Sequence, residues 1–526
     1  MREKGIKTRK GRTTSLGFTN SASTSNGLLA AVLIVIGALT MLVSALHGQT
    51  PDLAEKSHHA KELIDSGKPA EAVPIYRELV RAMPNNPGFI MDLGLALDMS
   101  GNKPEAIREY QNALKLDSGD FPALVLLGTA YLDLGQPAKA LDPLERSVRM
   151  QPDNFSAAET LAEALFALGR LGEAERRFRE LSQLDATNSK VWYALGLCYE
   201  GLAQKNFDEL AKAAPGSAYW LDLVAESRLQ NKQDYSAFYF YRQALAKMPG
   251  MRGVHAAIAV VYEDAGHSDW AVVERQKEQA LPAPDCSVEK LECDFQARRF
   301  LEIVDSAHAA KGAATYYWRT RAYNKLALDA YVRLGGLPPS MESHELKAKI
   351  DSDRRQFAEA AKEWDEALAL SPDNAYVEKQ LGVALYKSGD VAGAQTLFER
   401  LLKWQPDAAD LNFYLGDTLL HAQKPQDALP FLEKALLREP ALLPAQQAMG
   451  LAYMQTGQPA KAIPHLKGAL SIDEDGSLRY QLARAYQISG QKELASAMLR
   501  EYQKKQQAVQ KENAGVEKEV ALTPPQ

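Results

Sequence analysis

The residue types that do chemistry are sparse in this sequence, and their densest group is CSVEKLECDF, Cys286 to Phe295, which holds two of only three cysteines in 526 residues. Two cysteines seven positions apart admit half of a metal site, a disulfide, or two reduced thiols packed as small apolar side chains. A tetrahedral zinc site needs four ligands, and no His or further Cys stands at ligand spacing beside this pair, so metal is disfavoured. A disulfide needs an oxidising compartment and Cα atoms within about 7 Å, whereas seven residues along one helix span about 10 Å. Bonding between Cys286 and Cys293 therefore requires Cys286 to lie outside the helix that carries Cys293, and LPAPDC just before it allows that. The bridge and the separate thiols both stand on the sequence alone.

Other catalytic patterns are missing. There is no GxxxxGK[ST], no GxSxG and no GxGxxG after a strand. SHELK at Ser343 begins like the zinc-protease HExxH and lacks the second His, and DEDG at Asp473 has the wrong spacing for a calcium loop. The nine histidines are scattered. No catalytic, cofactor-binding or metal-binding residue is assigned, and the chain reads as non-enzymatic, because function must be argued from a site.

The elements around these residues are helical by composition, rich in Ala, Leu, Glu, Gln and Lys, without alternating Val, Ile and Thr runs. A length of 526 residues exceeds one compact core and calls for several domains or a repeat architecture. Net charge is −6, and six basic residues fall in the first twelve positions. The body is thus more acidic still, which disfavours nucleic acid as a partner.

After that basic leader (1–26) comes GLLAAVLIVIGALTMLVSAL, residues 27–46, uncharged throughout. Twenty residues at about 1.5 Å each make a helix of about 30 Å, long enough to span a bilayer. The flanking basic residues keep the leader inside and export the body beyond the apolar segment. The expectation is a single-pass cytoplasmic-membrane protein with its body in the periplasm. Cleavage near residues 45–48, giving a secreted or periplasmic body, is the alternative, because VSA and LHG each offer a small residue to a signal peptidase.

Beyond residue 52 a period of 34 sets the pattern. Gly67, Gly101, Gly135 and Gly169 keep it, as do Ala72, Ala106, Ala140 and Ala174. Within 121–154, apolar positions recur at helical spacing to Leu134, Gly135 breaks the helix, and Pro137 opens the next, where its missing N–H costs nothing. Gly128 and Ala140 lack bulk and let two antiparallel helices approach, with Tyr131 and Leu144 filling the space beside them. Pro84 and Pro152 close their pairs. A second array repeats the pattern through Gly382, Gly416, Gly450 and Ala483, Ala360, Ala394, Ala428, Ala462 and Ala495, and Pro372, Pro406 and Pro440.

These positions resemble the tetratricopeptide repeat family over residues 53 to 507. The resemblance implies an all-α fold, a right-handed α-solenoid of antiparallel helix pairs, whose first helices line a surface for proteins or peptides. The expected layout is an N-terminal array at 53–203, an irregular region at 204–340, a C-terminal array at 341–507 and a disordered tail at 508–526. Between the arrays the spacing fails: Ala174 to Ala237 is 63 residues, and Ala271 to Ala360 is 89. The cysteine pair lies in that irregular stretch. There too YSAFYFYRQAL, Tyr235 to Leu245, is expected as an enclosed helix, since aromatics occupy every side of it, with an exposed docking patch as the alternative.

Residues on the outward flank of the first helices are the candidates for partner binding: Met91, Leu95, Asp98, Val125, Thr129 and Leu132 in the first array, and Lys379, Tyr386, Phe413, Tyr414, Asp417 and Leu420 in the second. The paired Lys and Asn that some members use to grip a C-terminal carboxylate are absent at the matching positions. The reading is a protein-binding scaffold in envelope or secretion assembly. A self-associating spacer, or an accessory subunit presenting a substrate to an enzyme, is the alternative.

Overall fold

The computed structural model describes residues 52–306, 311–372, 374–519 and 521–525, and the regular structure among them is entirely helical. Segments 1–26 and 27–46 lie outside the described residues. Among the described residues, no helix is long and apolar enough to cross a membrane. The chain divides into two compact units, one ending at Ser147 and one beginning at Val148.

In the first unit, helix 52–65 pairs with Pro69–Ala82, and Pro87–Met99 pairs with Lys103–Leu116. Each turn is set by its glycine. Gly101 and Gly135 adopt φ of +83° and +65°, and the following N–H groups of Asn102 and Gln136 donate to Leu97 O and Tyr131 O at 2.8 Å, closing orphan carbonyls of the first helix. Asn86 and Asp120 cap the next helices, accepting from Phe89 N (3.2 Å) and Ala123 N (3.0 Å).

Packing within a pair rests on one small residue. A Cβ on Gly94 would sit 2.7 Å from the Tyr110 ring, and one on Gly128 would run into Leu144. The second unit repeats this, with Gly382 against Phe398 at 2.8 Å and Gly416 and Gly450 against Leu432 and Leu466 at 2.7 Å. In every case the large residue lies sixteen positions on and four after a fully buried alanine: Ala106, Ala140, Ala394, Ala428 or Ala462.

Gly196 departs from this rule. Sixteen positions on stands exposed Lys212, yet a Cβ on Gly196 would run into the ring of Tyr331. Two long helices meet here, Ser189–Ala213 of 25 residues and Ala313–Gly335 of 23 residues, where the flanking helices have 13 or 14. Their contacts run antiparallel. Tyr193 faces Tyr331 at 6.5 Å between ring centroids, Tyr199 faces Tyr323 at 6.1 Å, and Thr320 Oγ1 donates to Ala203 O at 3.4 Å. Buried Ala327, four before Tyr331, supplies the missing second-helix alanine and falls one residue short of a full period before Ala360.

Residues 214–312 are therefore an insertion at the tip of one lengthened helix pair. The array continues directly past it: Ser189 Oγ donates to Glu342 at 2.8 Å and Lys349 Nζ to the Tyr193 hydroxyl at 2.6 Å, joining Met341–Asp353 to Ser189–Ala213. The expected border at 203/204 thus cuts through a continuous helix. The border at 340/341 coincides with a helix start, where Ser340 and Ser343 form a capping box.

The insertion holds two further pairs, Ala218–Gln230 with Asp234–Lys247 and Val254–Asp264 with Ser268–Ala280. Then come Lys290–Gln296 and Phe300–Ser306, seven residues each and too short to persist alone. Cys286 and Cys293 are bonded, with Cα atoms 5.7 Å apart, and Cys286 precedes the helix that carries Cys293. The Arg252 guanidinium donates to Glu289 and Glu292, both at 2.6 Å. Asp305 pairs with Arg179 at 3.2 Å and ties the end of the insertion to the array. Cys198, the third cysteine, is buried and free, and burial pushes its thiol up to about 12.

Two expectations need correction. Tyr235–Leu245 is buried on one face only: Phe238 and Tyr241 are enclosed, while Tyr235 is 57% exposed, because a second helix packs on its own pair and leaves its outer side open. The tail expected to be disordered from residue 508 is helical to Glu519, in keeping with its Lys, Gln, Glu and Ala content, and residues 521–525 follow without regular structure.

The pairing of Gly196 with Tyr331 can be measured. Gly196→Leu should cost about 1–3 kcal/mol by overpacking and Tyr331→Ala about 3–5 kcal/mol. In urea unfolding, the double variant should cost less than the two together by at least about 1 kcal/mol. Strict additivity would contradict the contact.

Candidate protein-binding surfaces

Each first helix turns one flank to the core and leaves the flank beside it half-buried. In the first unit Met91, Leu95, Asp98, Val125, Thr129 and Leu132 all lie on this intermediate flank. Their polar members already have partners. Thr129 donates to Val125 O at 3.0 Å, and Lys103 Nζ reaches Asp98 at 2.7 Å and Asp133 at 2.6 Å, linking neighbouring pairs.

In the second unit the flank carries more chemistry. Lys379 Nζ donates to Asp410 at 3.0 Å, the Tyr386 hydroxyl donates to Asp417, and the Tyr376 hydroxyl donates to Glu345 at 2.9 Å. All three pairs are 31 residues apart, one repeat less one helical turn, so successive first helices meet with a one-turn offset. The Tyr386 ring stands edge-on to Tyr414 at 6.2 Å and to exposed His421 at 5.5 Å. Tyr414 stacks on core Phe398 at 5.4 Å, and half-buried Phe413 lies against it at 5.1 Å. Burial, and then the Asp417 carboxylate, push the Tyr386 phenol well above its ordinary range, so it remains a hydrogen-bond donor.

Leu420 does not belong to this surface. It is 6% exposed and sits in the core, because its helix Ala409–His421 is covered by second helices on both sides and by the next first helix. The remaining five second-array candidates come together on three turns of two adjacent first helices.

One site escapes sequence reasoning. A cavity of about 530 Å³ lies between the lengthened pair and the first helix of the insertion, lined by Gln204, Phe207, Leu223, Glu226, Arg228 and Asn324. Glu226 of this lining also belongs to a buried polar group whose other members stand outside the cavity. The Tyr317 hydroxyl donates to Asp222 Oδ2 at 2.7 Å and accepts from Arg321 at 2.6 Å, while the same guanidinium lies 3.7 Å from Glu226. Burial pushes the Asp222 carboxyl up to about 6, against the opposing pull of Arg321 and the Tyr317 bond. The signal in the sequence was an Asp between Leu221 and Leu223 and an Arg among Tyr317, Trp318 and Ala322, charges set within apolar helix faces.

Comparison with known proteins places repeats on the same stretches. The tetratricopeptide repeat family matches at residues 59–121 and 379–444, at 131–198, and at 443–475. A BBSome complex member of Bos taurus is 25% identical over 207 residues, 38% of this chain and 39% of that protein. A TPR repeat-containing protein of Pseudomonas aeruginosa is 34% identical over 136 residues, 25% of this chain and 55% of that one. A beta-barrel assembly-enhancing protease of Yersinia pestis is 32% identical over 163 residues, 31% of this chain and 32% of that one. The chain thus spans between about a third and about half the length of these relatives. Among solved structures, a tetratricopeptide repeat protein from Parabacteroides merdae has a TM-score of 0.31 at 14% identity, covering 63% of this chain and 98% of its own. MamA from Desulfovibrio magneticus has a TM-score of 0.30 at 23% identity, covering 32% of this chain and 96% of its own.

Asp222 gives a pH-dependent prediction. Its folded carboxyl takes up a proton near pH 6, while the unfolded one waits until about 3.8. Between these values the folded chain holds more protons, so stability from this group rises as pH falls. Urea unfolding of the parent chain and Asp222→Asn should show the parent gaining, relative to the variant, up to about 3 kcal/mol between pH 7 and pH 4. A difference independent of pH would contradict a carboxyl whose burial outweighs its partners Tyr317 and Arg321.

Proposed function

We propose that this chain, which carries tetratricopeptide repeats over 59–121, 131–198 and 379–475, is a non-enzymatic scaffold that holds protein or peptide partners against its first helices on the outer side of the cytoplasmic membrane. The observation that carries the binding role is the set Lys379, Tyr386, Phe413, Tyr414 and Asp417: aromatic and polar, half-buried, and held in place on two adjacent first helices. Such rigid amphipathic aromatics make interface anchors at little entropic cost. Packed core residues have no need of the hydrogen-bonded ladder beside them.

Two features support the outer location. The basic leader and apolar segment 27–46 read as an export signal or anchor, and the bonded Cys286 and Cys293 suit an oxidising compartment. Two relatives are named for assemblies, the BBSome complex member and the beta-barrel assembly-enhancing protease. These names speak for a role in an assembly, and the export signal directs that role to envelope or secretion components.

The test is affinity capture from envelope extract with the tagged chain and with Phe413→Ala combined with Tyr386→Ala. The scaffold reading expects a stoichiometric partner whose recovery falls at least about tenfold in the double variant, with circular dichroism unchanged. Self-association alone would favour the spacer reading. A reporter fused to the last residue should be active only outside the cytoplasm, and activity inside would contradict the location.

A further inference from the structure

Segment 521–525, Ala-Leu-Thr-Pro-Pro, reaches back across the second unit to the insertion. The Tyr262 hydroxyl donates to Thr523 O at 2.5 Å, and Arg242 Nη1 donates to Thr523 Oγ1 at 2.6 Å. The two donors belong to different helices, Val254–Asp264 and Asp234–Lys247, and lie 261 and 281 residues from Thr523 in sequence. Beside the seated segment a space of about 270 Å³ stays open, lined by Phe238, Ile258, Glu274 and Lys277 and by Pro524 and Pro525 themselves.

The groove suits an extended, proline-containing peptide. Its wall is aromatic: the rings of Phe238 and Tyr262 are 5.3 Å apart and the Arg242 guanidinium lies 5.7 Å above Phe238, while Trp270, outside the lining, braces Tyr262 edge-on at 5.4 Å. Aromatic-lined grooves receive proline segments well, because proline has no N–H to satisfy and little backbone freedom to lose. The one buried carboxylate, Glu274, is matched by His255 at 2.5 Å and Lys277 at 2.8 Å, so it does not repel the carbonyl oxygens of a bound peptide. Thr523 is read twice, through its carbonyl and its hydroxyl. Leu522 and Pro525 are half-buried, while Thr523 and Pro524 keep an exposed side.

We propose that this groove is a binding site for extended Leu-Thr-Pro-Pro peptide sequence, and that the chain's own segment 521–525 occupies it in cis as a displaceable cap. Two side-chain hydrogen bonds and two prolines make a weak ligand in free form. Tethering raises its local concentration to the millimolar range, enough to keep it seated and low enough for a partner peptide of the same chemistry to replace it. The groove runs between two second helices with a first helix as its floor, so the proposal is independent of the first-helix surface around Tyr386.

Fluorescent peptide ALTPPQ, titrated against the full chain and against a chain ended after Glu519, tests this. The shortened chain should bind with a Kd between about 10 and about 100 μM, and the full chain at least about tenfold more weakly, because its own segment competes at about millimolar effective concentration. Arg242→Gln, at an exposed position, and Tyr262→Phe, which keeps the ring, should each weaken peptide binding to the shortened chain about fivefold with unchanged thermal unfolding. Peptide carrying valine at the Thr523 position should be weakened similarly. Absence of binding up to about 1 mM, equal binding to both chains, or a full-chain dimer that disappears on shortening would overturn the proposal, the last because the segment would then serve a second copy.

Discussion

Two helices can close on each other only where one of them gives up its side chain. Here that place is a single position on each first helix, glycine in most repeats, against which the second helix sets a tyrosine, phenylalanine or leucine. The contact fixes helix spacing, and the buried alanine four residues earlier fixes rotation. With both set, the flank carrying Tyr386 and Asp417 is held half-open, and neighbouring first helices interlock with a one-turn offset. The half-open flank proposed to hold partners is a by-product of core geometry.

The same constraint explains how the chain tolerates a large insertion. Gly196 needs a large residue opposite it and an alanine one turn before that residue. Tyr331 and Ala327 meet the need from far along the chain. Once they dock, Ser189–Ala213 and Ala313–Gly335 form an ordinary pair at the base and a longer one toward the tip, and residues 214–312 hang on that extension. Close packing accepts a partner by shape, whatever its distance in sequence. The insertion is in turn fastened where it returns, by the Cys286 bond, the Arg252 fork and the pair of Arg179 with Asp305.

Short-range, repeated contacts were legible in the sequence, and contacts between distant segments were not. Period 34 gave the helix pairs, their turns at Gly101 and Gly135, and the small-against-large contacts at Gly94 and Gly128. Tyr331 was not legible, since Ala followed four residues later by an aromatic is too short a pattern to find without knowing where the array resumes. Most of the second-array flank was legible from helical phase alone. Leu420 was misplaced because phase does not reveal that helices cover both sides of Ala409–His421. The seating of Thr523 was invisible, because it lies more than 250 residues from the helices that hold it. In the cysteine pair, spacing alone could not choose between bond and thiols, while the position of Cys286 before its helix does.

The central claim is that the array runs unbroken past the insertion, with Met341–Asp353 seated directly on Ser189–Ala213. Short thiol-to-thiol cross-linking of Ser189→Cys with Glu342→Cys tests it most directly, with Lys379→Cys and Asp410→Cys as a reference pair, since these side chains meet at 2.8 and 3.0 Å in the parent chain. The account predicts an intramolecular link between the peptides bearing residues 189 and 342, formed as readily as the reference link. A reference pair that links while residues 189 and 342 do not would contradict it.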